Sequence, residues 1–194
     1  MTRSLDAVLA RTRSRLAARP RRVLASPSLV PAAVLVPIVD RGEPCLVFVK
    51  RTERVGYHKG QISFPGGRLD PADPDPLSAA LRESEEEIGL PASAVEPLGA
   101  LDDTETVATR FVITPWVGFV REPVAWRPDG EEIEKVIEVP VAALLDPGVL
   151  RVEHWEHDGV RRPVLFYDYR GETIWGATAR ILQQYLDLLA GPAP

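Results

Sequence analysis

Three glutamates near the middle of the chain, Glu83, Glu86 and Glu87, are the side chains whose types and spacing best suit catalysis. At 100° per residue they fall within an arc of about 100° on one face of a helix. Carboxylates held this close repel one another, and a divalent cation relieves the repulsion. Hard oxygen ligands favour Mg²⁺ or Mn²⁺, which commonly bridge to substrate phosphates. A solvated helical face is the alternative interpretation of the same acidic run.

The helix that must carry these glutamates has clear local boundaries. Asp75 suits the N-cap, Pro76 suits the first helical position, and Gly89 is a natural stop. Arg82 lies one turn before Glu86 and is spaced to pair with it. The sequence therefore predicts a helix between Asp75 and Gly89.

A basic loop and a glycine turn precede this helix. The segment 51–59 is polar, a strand-like segment follows at 61–64, and the turn falls at Gly66 and Gly67. Arginine binds phosphate through two parallel hydrogen bonds, so cations here would suit a phosphate-containing substrate. Taken singly, each of these side chains favours plain solvation over a binding role. The basic residues of the loop are Arg51, Arg54, His58 and Lys59.

The stretch RESEEEIGL at 82–90 resembles the second half of the Nudix box, G-x5-E-x7-R-E-U-x-E-E-x-G-U, in which U is bulky and apolar. Three departures distinguish it. The spacing between the glycine turn and the arginine is one residue longer, Asp70 or Asp73 stands in place of the first Glu, and Ser84 replaces a bulky residue.

These departures resemble the coenzyme A pyrophosphatase branch of that family. The upstream signature of the branch is roughly L-L-T-x-R-S-x-x-L-R-x-H-x-G-Q-V-A-F-P-G-G, and residues 47–67 match it from VFVKRT through HKGQISFPGG. Val55 and Gly56 replace the usual Leu and Arg. Further similar segments extend the resemblance over about residues 30–190: LG at 98–99, TP at 114–115, EI at 132–133, EVPV at 138–141 and IWGATA at 174–179.

The resemblance implies an α+β fold, the Nudix α/β/α sandwich with a mixed central sheet. The whole chain, 1–194, is predicted to be one domain, in which an N-terminal helix within 1–25 packs on the core; a weak transit peptide is the alternative for that segment. Pro115 predicts an edge or a bulge in its strand. Besides the glutamate helix, the pattern predicts helices at 4–18, 141–145 and 178–189, strands at 32–39, 45–50, 95–101, 111–120 and 131–139, and a hairpin within 154–168.

Position in the motif also implies the roles of individual residues. The Gly66 carbonyl would assist the glutamates in holding the metal, and Arg82 would fix a glutamate side chain by a hydrogen bond. Glu83 is alternatively the general base, or orients it. A distal glutamate completes the site: Glu132 by alignment, with Glu105 as the alternative. The resulting assignments are catalytic Glu83, Glu86, Glu87 and Arg82; metal-binding Gly66, Glu83, Glu86, Glu87 and Glu132; and substrate-binding Arg51, Arg54, His58, Gln61 and Gly67.

The resemblance further implies a reaction: metal-dependent hydrolysis of coenzyme A and its derivatives to 3′,5′-ADP and (acyl-)4′-phosphopantetheine. A pyrophosphatase acting on ADP-ribose, NADH or another nucleoside diphosphate derivative is the alternative, because the box reads phosphates and not the attached group. A non-catalytic nucleotide-sensing domain is a third interpretation. The presence of all three box glutamates disfavours it.

Composition narrows the class of protein. With 194 residues and 45% hydrophobic residues, the chain can build a single core. Its net charge of −5 argues against general binding to nucleic acid or to a membrane surface. Cys45 is the single cysteine and no apolar run reaches about 18 residues. These features predict a cytoplasmic protein with a small-molecule substrate, and they leave its oligomeric state open.

Overall fold

The computed structural model describes residues 4–53, 60–106, 109–157 and 159–191, and the backbone alone at His157. Four helices and eleven strands are described: α1 (Leu5–Ala17), β1 (Val30–Asp40), β2 (Pro44–Arg51), β3 (Ile62–Ser63), β4 (Gly66–Arg68), α2 (Pro76–Ile88), β5 (Val95–Ala100), β6 (Thr104–Glu105), β7 (Phe111–Val120), β8 (Ile133–Pro140), α3 (Val141–Leu144), β9 (Leu150–His157), β10 (Val160–Tyr169), β11 (Glu172–Trp175) and α4 (Gly176–Ala190). Among these helices, none combines the length and the apolar character needed to cross a bilayer.

The larger of two described sheets is mixed, as predicted. Strands β1 and β7 run parallel at its centre, whereas β1 pairs antiparallel with β2 and β4, and β7 with β5 and β6. Strand β8 adds to β2 on the outer side. A second sheet has the order β11–β10–β9 and is antiparallel throughout.

Helices cover both faces of the central sheet. Successive residues of β1 point to opposite faces, so Ala33 and Leu35 pack towards α2 while Val34 and Val36 pack towards α1 and α4. Burial on both faces explains why β1 is a continuous apolar run. The predicted α/β/α layering of an α+β fold is confirmed.

Pro115 lies in the interior of the sheet, so its predicted position at an edge was wrong. It is in register with Val34 on one side. On its other side β5 ends opposite Trp116 and β6 begins opposite Ile113. The proline therefore faces a break between two partner strands, where its missing N–H leaves no ladder hydrogen bond unmade.

Helix α1 packs on the core with its apolar stripe. Val8, Leu9 and Leu16 are buried against α4 and β5. Inside this contact the Thr12 hydroxyl donates to the Val8 carbonyl at 2.8 Å and lies 3.0 Å from the Tyr185 hydroxyl. The N-terminal segment is thus part of the folded core.

We expect the Leu9→Ala variant to lose about 2–5 kcal/mol of unfolding free energy, because it leaves a cavity between α1 and the core. The measurement is chemical denaturation. Val23→Ala is the matched control: Val23 is 63% exposed, and its truncation should change stability by less than about 0.5 kcal/mol. Equal denaturation midpoints for Leu9→Ala and the parent chain would contradict the packing of α1.

Candidate active site

Helix α2 begins after Asp75 and ends before Gly89, as predicted from its capping residues. The Asp75 carboxylate accepts a hydrogen bond from the Ser78 amide at 2.8 Å, and Pro76 opens the first turn. At the other end Gly89 adopts a left-handed conformation with φ of 68°. Ser84 is fully buried and its hydroxyl donates to the Ala80 carbonyl at 2.6 Å, so a small polar residue fits where the family pattern has a bulky one.

The predicted glycine turn is a short strand, β4, that pairs with β1. Gly66 has φ of 142°, and a Cβ there would lie 2.3 Å from the Ala33 carbonyl oxygen. A Cβ on Gly67 would lie 2.5 Å from the carboxyl carbon of Glu83. Glycine is therefore required at Gly66, where β4 meets β1, and at Gly67, where β4 meets Glu83 of α2.

Glu87 connects α2 to this strand. Its carboxylate is buried and accepts a hydrogen bond from the Gly66 amide at 3.0 Å. The Arg51 guanidinium lies 4.0 Å away. Burial raises the pKa of Glu87 to about 8, although the Gly66 amide and Arg51 act in the opposite direction. A cation at this carboxylate would offset the cost of its burial.

Glu83 lies over Gly67, one turn before Glu87. Burial raises the pKa of Glu83, and the hydrogen bond from Arg82 opposes that effect. Glu86 lies at the outer side of the same cluster, where its side chain is 61% exposed. Within the described residues, the three glutamates do not converge on one point as a ready three-carboxylate cage, because arginines and the Gly66 amide hold them separately.

Arg82 is the central cation of the cluster. Its Nη1 lies 2.9 Å from Glu83 and 3.2 Å from Glu86. Its Nε and Nη2 form a fork on Asp73, at 3.1 and 3.0 Å. Asp73, rather than Asp70, is thus the aspartate that pairs with Arg82. The Asp70 carboxylate instead accepts from the Ala72 amide within its own turn.

A second arginine, Arg51, links the distal glutamate to the cluster. Its Nη2 donates to Glu132 at 2.6 Å, while its Nη1 faces Glu87. Glu132 is 57% exposed, and its negative charge contributes to raising the pKa of both Glu83 and Glu87. Glu132 therefore lies within electrostatic range of the predicted metal site.

Glu105, the alternative distal residue, lies in β6 and is exposed. Its backbone carbonyl accepts from Arg180, on α4. Within the described residues, no contact links the Glu105 carboxylate to the glutamate cluster of α2. The contacts of Arg51 favour Glu132.

The predicted substrate-binding residues are only partly brought together. Gly67 is at the cluster, and the Gln61 carbonyl accepts from the Arg51 amide at 3.0 Å. The Arg51 side chain contacts carboxylates, which identifies it as a counter-charge within the site. The predictions for Arg54 and His58 fall outside the described residues.

Sequence reasoning missed Asp129, which positions the loop that carries Glu132. Its carboxylate accepts from three successive amides, those of Glu131, Glu132 and Ile133, each at 2.9 Å. Its own amide donates to the Glu87 carbonyl at 3.1 Å. The Asp-Gly pair at 129–130 is a turn signature that could have pointed to this anchor.

The donor set fits a hard divalent cation. Carboxylate oxygens are the ligands that Mg²⁺ and Mn²⁺ prefer, and two of these carboxylates, Glu83 and Glu87, carry a desolvation cost that positive charge would offset. The residues that would hold it are Glu83, Glu86, Glu87 and Glu132, with the Gly66 carbonyl.

Comparison with known proteins shows which family this chain resembles. The NUDIX domain family model matches residues 29–160. An "Uncharacterized Nudix hydrolase NudL" from Yersinia enterocolitica is 38% identical over 156 residues, which are 79% of this chain and 78% of that protein. A protein of the same description from Salmonella paratyphi B is 37% identical, over 84% of each chain. A MutT/nudix family protein from Enterococcus faecalis shares the fold with a TM-score of 0.51 at 12% identity, covering 88% of this chain and 71% of that one.

The two glycines of β4 provide a matched pair of variants. We expect Gly66→Ala to lose at least about 2 kcal/mol of unfolding free energy, because its Cβ meets backbone atoms of β1. Gly67→Ala meets only the movable end of Glu83, so it should retain most of its stability but lose activity. Thermal unfolding and pyrophosphatase assays separate the two effects. Wild-type activity in Gly67→Ala would contradict a role for the Glu83 position.

Asp73 and Asp70 form a second matched pair. Asp73→Asn should weaken the fork that holds Arg82 and lower kcat/KM by about 10- to 100-fold, a range typical of residues that orient metal ligands. Asp70→Asn should change kcat/KM by less than about threefold, within the roughly 1 kcal/mol of a single turn hydrogen bond. Equal losses in the two variants would show that Asp73 has no special role.

Proposed function

This chain belongs to the Nudix hydrolase family and is a pyrophosphohydrolase, and we propose that its substrates are coenzyme A and its derivatives. The products would be 3′,5′-ADP and (acyl-)4′-phosphopantetheine. The observation that carries this proposal is the stretch HKGQISFPGG at 58–67. It resembles the coenzyme A pyrophosphatase branch and leads directly into β4, the strand that Glu83 and Glu87 of α2 contact.

The proposal separates phosphate recognition from recognition of the attached group. The carboxylates of α2 would hold the metal that neutralises the pyrophosphate, so they are expected to serve any nucleoside diphosphate derivative. Discrimination must come from segments beside the helix. Arg51, at the start of the loop 51–59, lies near Glu87, and its amide donates to the carbonyl of Gln61, just after the loop. We therefore assign this discrimination to the basic residues of the loop.

For catalysis we assign Glu83, Glu86, Glu87 and Glu132, with the Gly66 carbonyl, to binding Mg²⁺ or Mn²⁺. When bound, such an ion neutralises pyrophosphate charge and lowers the pKa of a coordinated water. Glu83 would orient the attacking water or remove its proton, since it is the carboxylate that lies over Gly67. Arg82 would keep Glu83 and Glu86 in position through its fork on Asp73.

Arg54 is our candidate for the 3′-phosphate of coenzyme A. Arg51 is less suited, because its guanidinium contacts Glu132 and Glu87. Replacement of Arg54 by Ala should narrow the preference for coenzyme A over dephospho-coenzyme A by about tenfold, since a phosphate–arginine pair contributes about 1.5–3 kcal/mol. Arg22→Ala, which removes an exposed arginine of the segment after α1, is the control. An unchanged ratio in Arg54→Ala would overturn this role.

The deciding experiment is a substrate panel. Coenzyme A, dephospho-coenzyme A, ADP-ribose and NADH are incubated with the chain in Mg²⁺ and in Mn²⁺, and the products are resolved by chromatography. We expect release of 3′,5′-ADP from coenzyme A. Glu83→Gln and Glu87→Gln should lower kcat by at least about 100-fold, consistent with a loss of metal-ligand carboxylates.

Glu85→Gln is the matched control, because Glu85 lies on the same helix but faces solvent, away from β4. It should retain wild-type kcat. Turnover of ADP-ribose or NADH without turnover of coenzyme A would preserve the metal site and reject the substrate proposal. Absence of turnover across the panel in both metals would reject the catalytic roles as well.

A further inference from the structure

The hairpin of β9 and β10 extends beyond the rest of the second sheet. Strand β11 pairs only with Phe166–Tyr169, at the base of the hairpin. Residues 152–157 and 159–163 therefore form a two-stranded segment, which we call the arm. Every arm residue whose exposure is described is exposed except Glu153, which is half-buried. Two strands with so little buried surface are of marginal stability alone, so the arm is expected to be stabilised by a further contact.

Large apolar side chains are concentrated on this arm. Among the described residues, four large hydrophobic side chains are exposed, and three of them are Val152, Trp155 and Val160, each at 47%. Trp155 is directly opposite Arg162, and Val160 is directly opposite His157. Residues two apart on a strand share a face, so Trp155 and Val160 lie on the same face of the arm. Exposed apolar groups gathered in one place are typical of an interaction surface.

Side chains at the base of the arm contact the Trp155 ring and fix its orientation. The Trp155 ring lies 5.8 Å from Phe166 and 5.9 Å from Trp175, centroid to centroid. Its Nε1 donates to the Glu153 carboxylate at 2.7 Å. Arg151 lies 4.4 Å above the Phe166 ring. An indole held by its neighbours loses little side-chain entropy when a partner covers its remaining surface.

Strand β9 is also the free edge of its sheet in the described part of the chain. Its backbone N–H and C=O groups on that side are available to pair with another strand. A strand paired antiparallel with its own copy, about an axis perpendicular to the sheet, keeps each side chain on its original face. The possible registers can therefore be compared residue by residue.

Of the axes through Glu153, His154 and Trp155, the axis through Trp155 gives the most favourable register. It places the two Trp155 side chains opposite each other and, twice by symmetry, His154 opposite Glu156. An imidazole retains an N–H donor in every protonation state, so it can donate to the carboxylate. An axis through Glu153 would oppose two carboxylates directly, and an axis through His154 would oppose Val152 to Glu156. Like charges and apolar–charged pairs destabilise such crossings.

We propose that the chain forms a two-fold symmetric dimer in which β9 pairs antiparallel with β9 of a second copy, with Trp155 at the axis. The two second sheets then form one continuous sheet, and the arms support each other. The contact lies on a different sheet from α2 and β4, so the proposal is independent of the substrate assignment.

The test is the mass of the chain in solution, measured by light scattering and sedimentation over a range of concentrations. We expect a species of about twice 21.3 kDa. His154→Glu places two carboxylates opposite each other at both symmetric crossings, and we expect it to weaken dimerisation by at least about tenfold. His154→Glu combined with Glu156→Lys restores opposite charges and should recover the dimer.

Trp155→Ser should also weaken the dimer by at least about tenfold, because it removes the apolar group at the axis. Val23→Ser is the matched control, since Val23 is a similarly exposed hydrophobic residue outside the arm, and its dimer should persist. Pyrophosphatase activity reports whether each variant is folded. A single-chain mass at every accessible concentration would overturn the proposal, as would a dimer unaffected by His154→Glu and Trp155→Ser.

Discussion

The hydrogen bond from the Gly66 amide to Glu87 joins α2, which carries the candidate metal ligands, to the sheet, and the rest of the candidate site is arranged around it. At 3.0 Å it requires α2 to lie directly over β4. Gly66 in turn pairs with Val34 of the central strand β1. The position of α2 is therefore fixed relative to the core of the domain. A side chain at Gly66 would clash with the backbone of β1, and one at Gly67 would displace the Glu83 carboxylate. Close approach of backbone and carboxylate is thus the constraint from which the geometry follows.

Partial neutralisation of the clustered carboxylates is the second feature of the site. Two arginines act as internal counter-charges: Arg82 for Asp73, Glu83 and Glu86, and Arg51 for Glu132 and Glu87. Without them, carboxylates gathered on one helix face would repel at short range. Burial still leaves the pKa values of Glu83 and Glu87 raised, so the balance is incomplete. Such a site favours additional positive charge, which agrees with the divalent-metal chemistry general among Nudix hydrolases.

The two sheets differ in role: the central sheet supports the candidate site, and the second sheet carries the arm. The central sheet is covered by helices on both faces, and such burial gives it the rigidity that a catalytic cluster needs. The second sheet covers part of the core with its base and leaves the arm exposed. Side chains that pack on the core are found near the base, whereas Val152, Trp155 and Val160 lie beyond it. This division explains why these exposed apolar residues lie on a different sheet from the predicted metal site.

Several features of the structure could be predicted from the sequence because they depend on local interactions. Capping by Asp75 and Gly89 involves neighbouring residues only, so the bounds of α2 could be predicted. The apolar run of β1 predicted burial on both faces because side-chain alternation is a local property. The shared face of the three glutamates on α2 could be predicted for the same reason. The family resemblance added the α/β/α arrangement, which the structure confirms.

Only the tertiary structure decided which distant groups meet. The pairing of Gly66–Arg68 with β1, the break in the sheet beside Pro115, and the choice of Asp73 over Asp70 as the partner of Arg82 all depend on chain segments brought together by folding. Arg51 was predicted to bind substrate, and its 2.6 Å contact with Glu132 arises because β2 and β8 are neighbours. Sequence patterns record which side chains share a helix face or a strand face, and long-range pairing determines which charges they encounter.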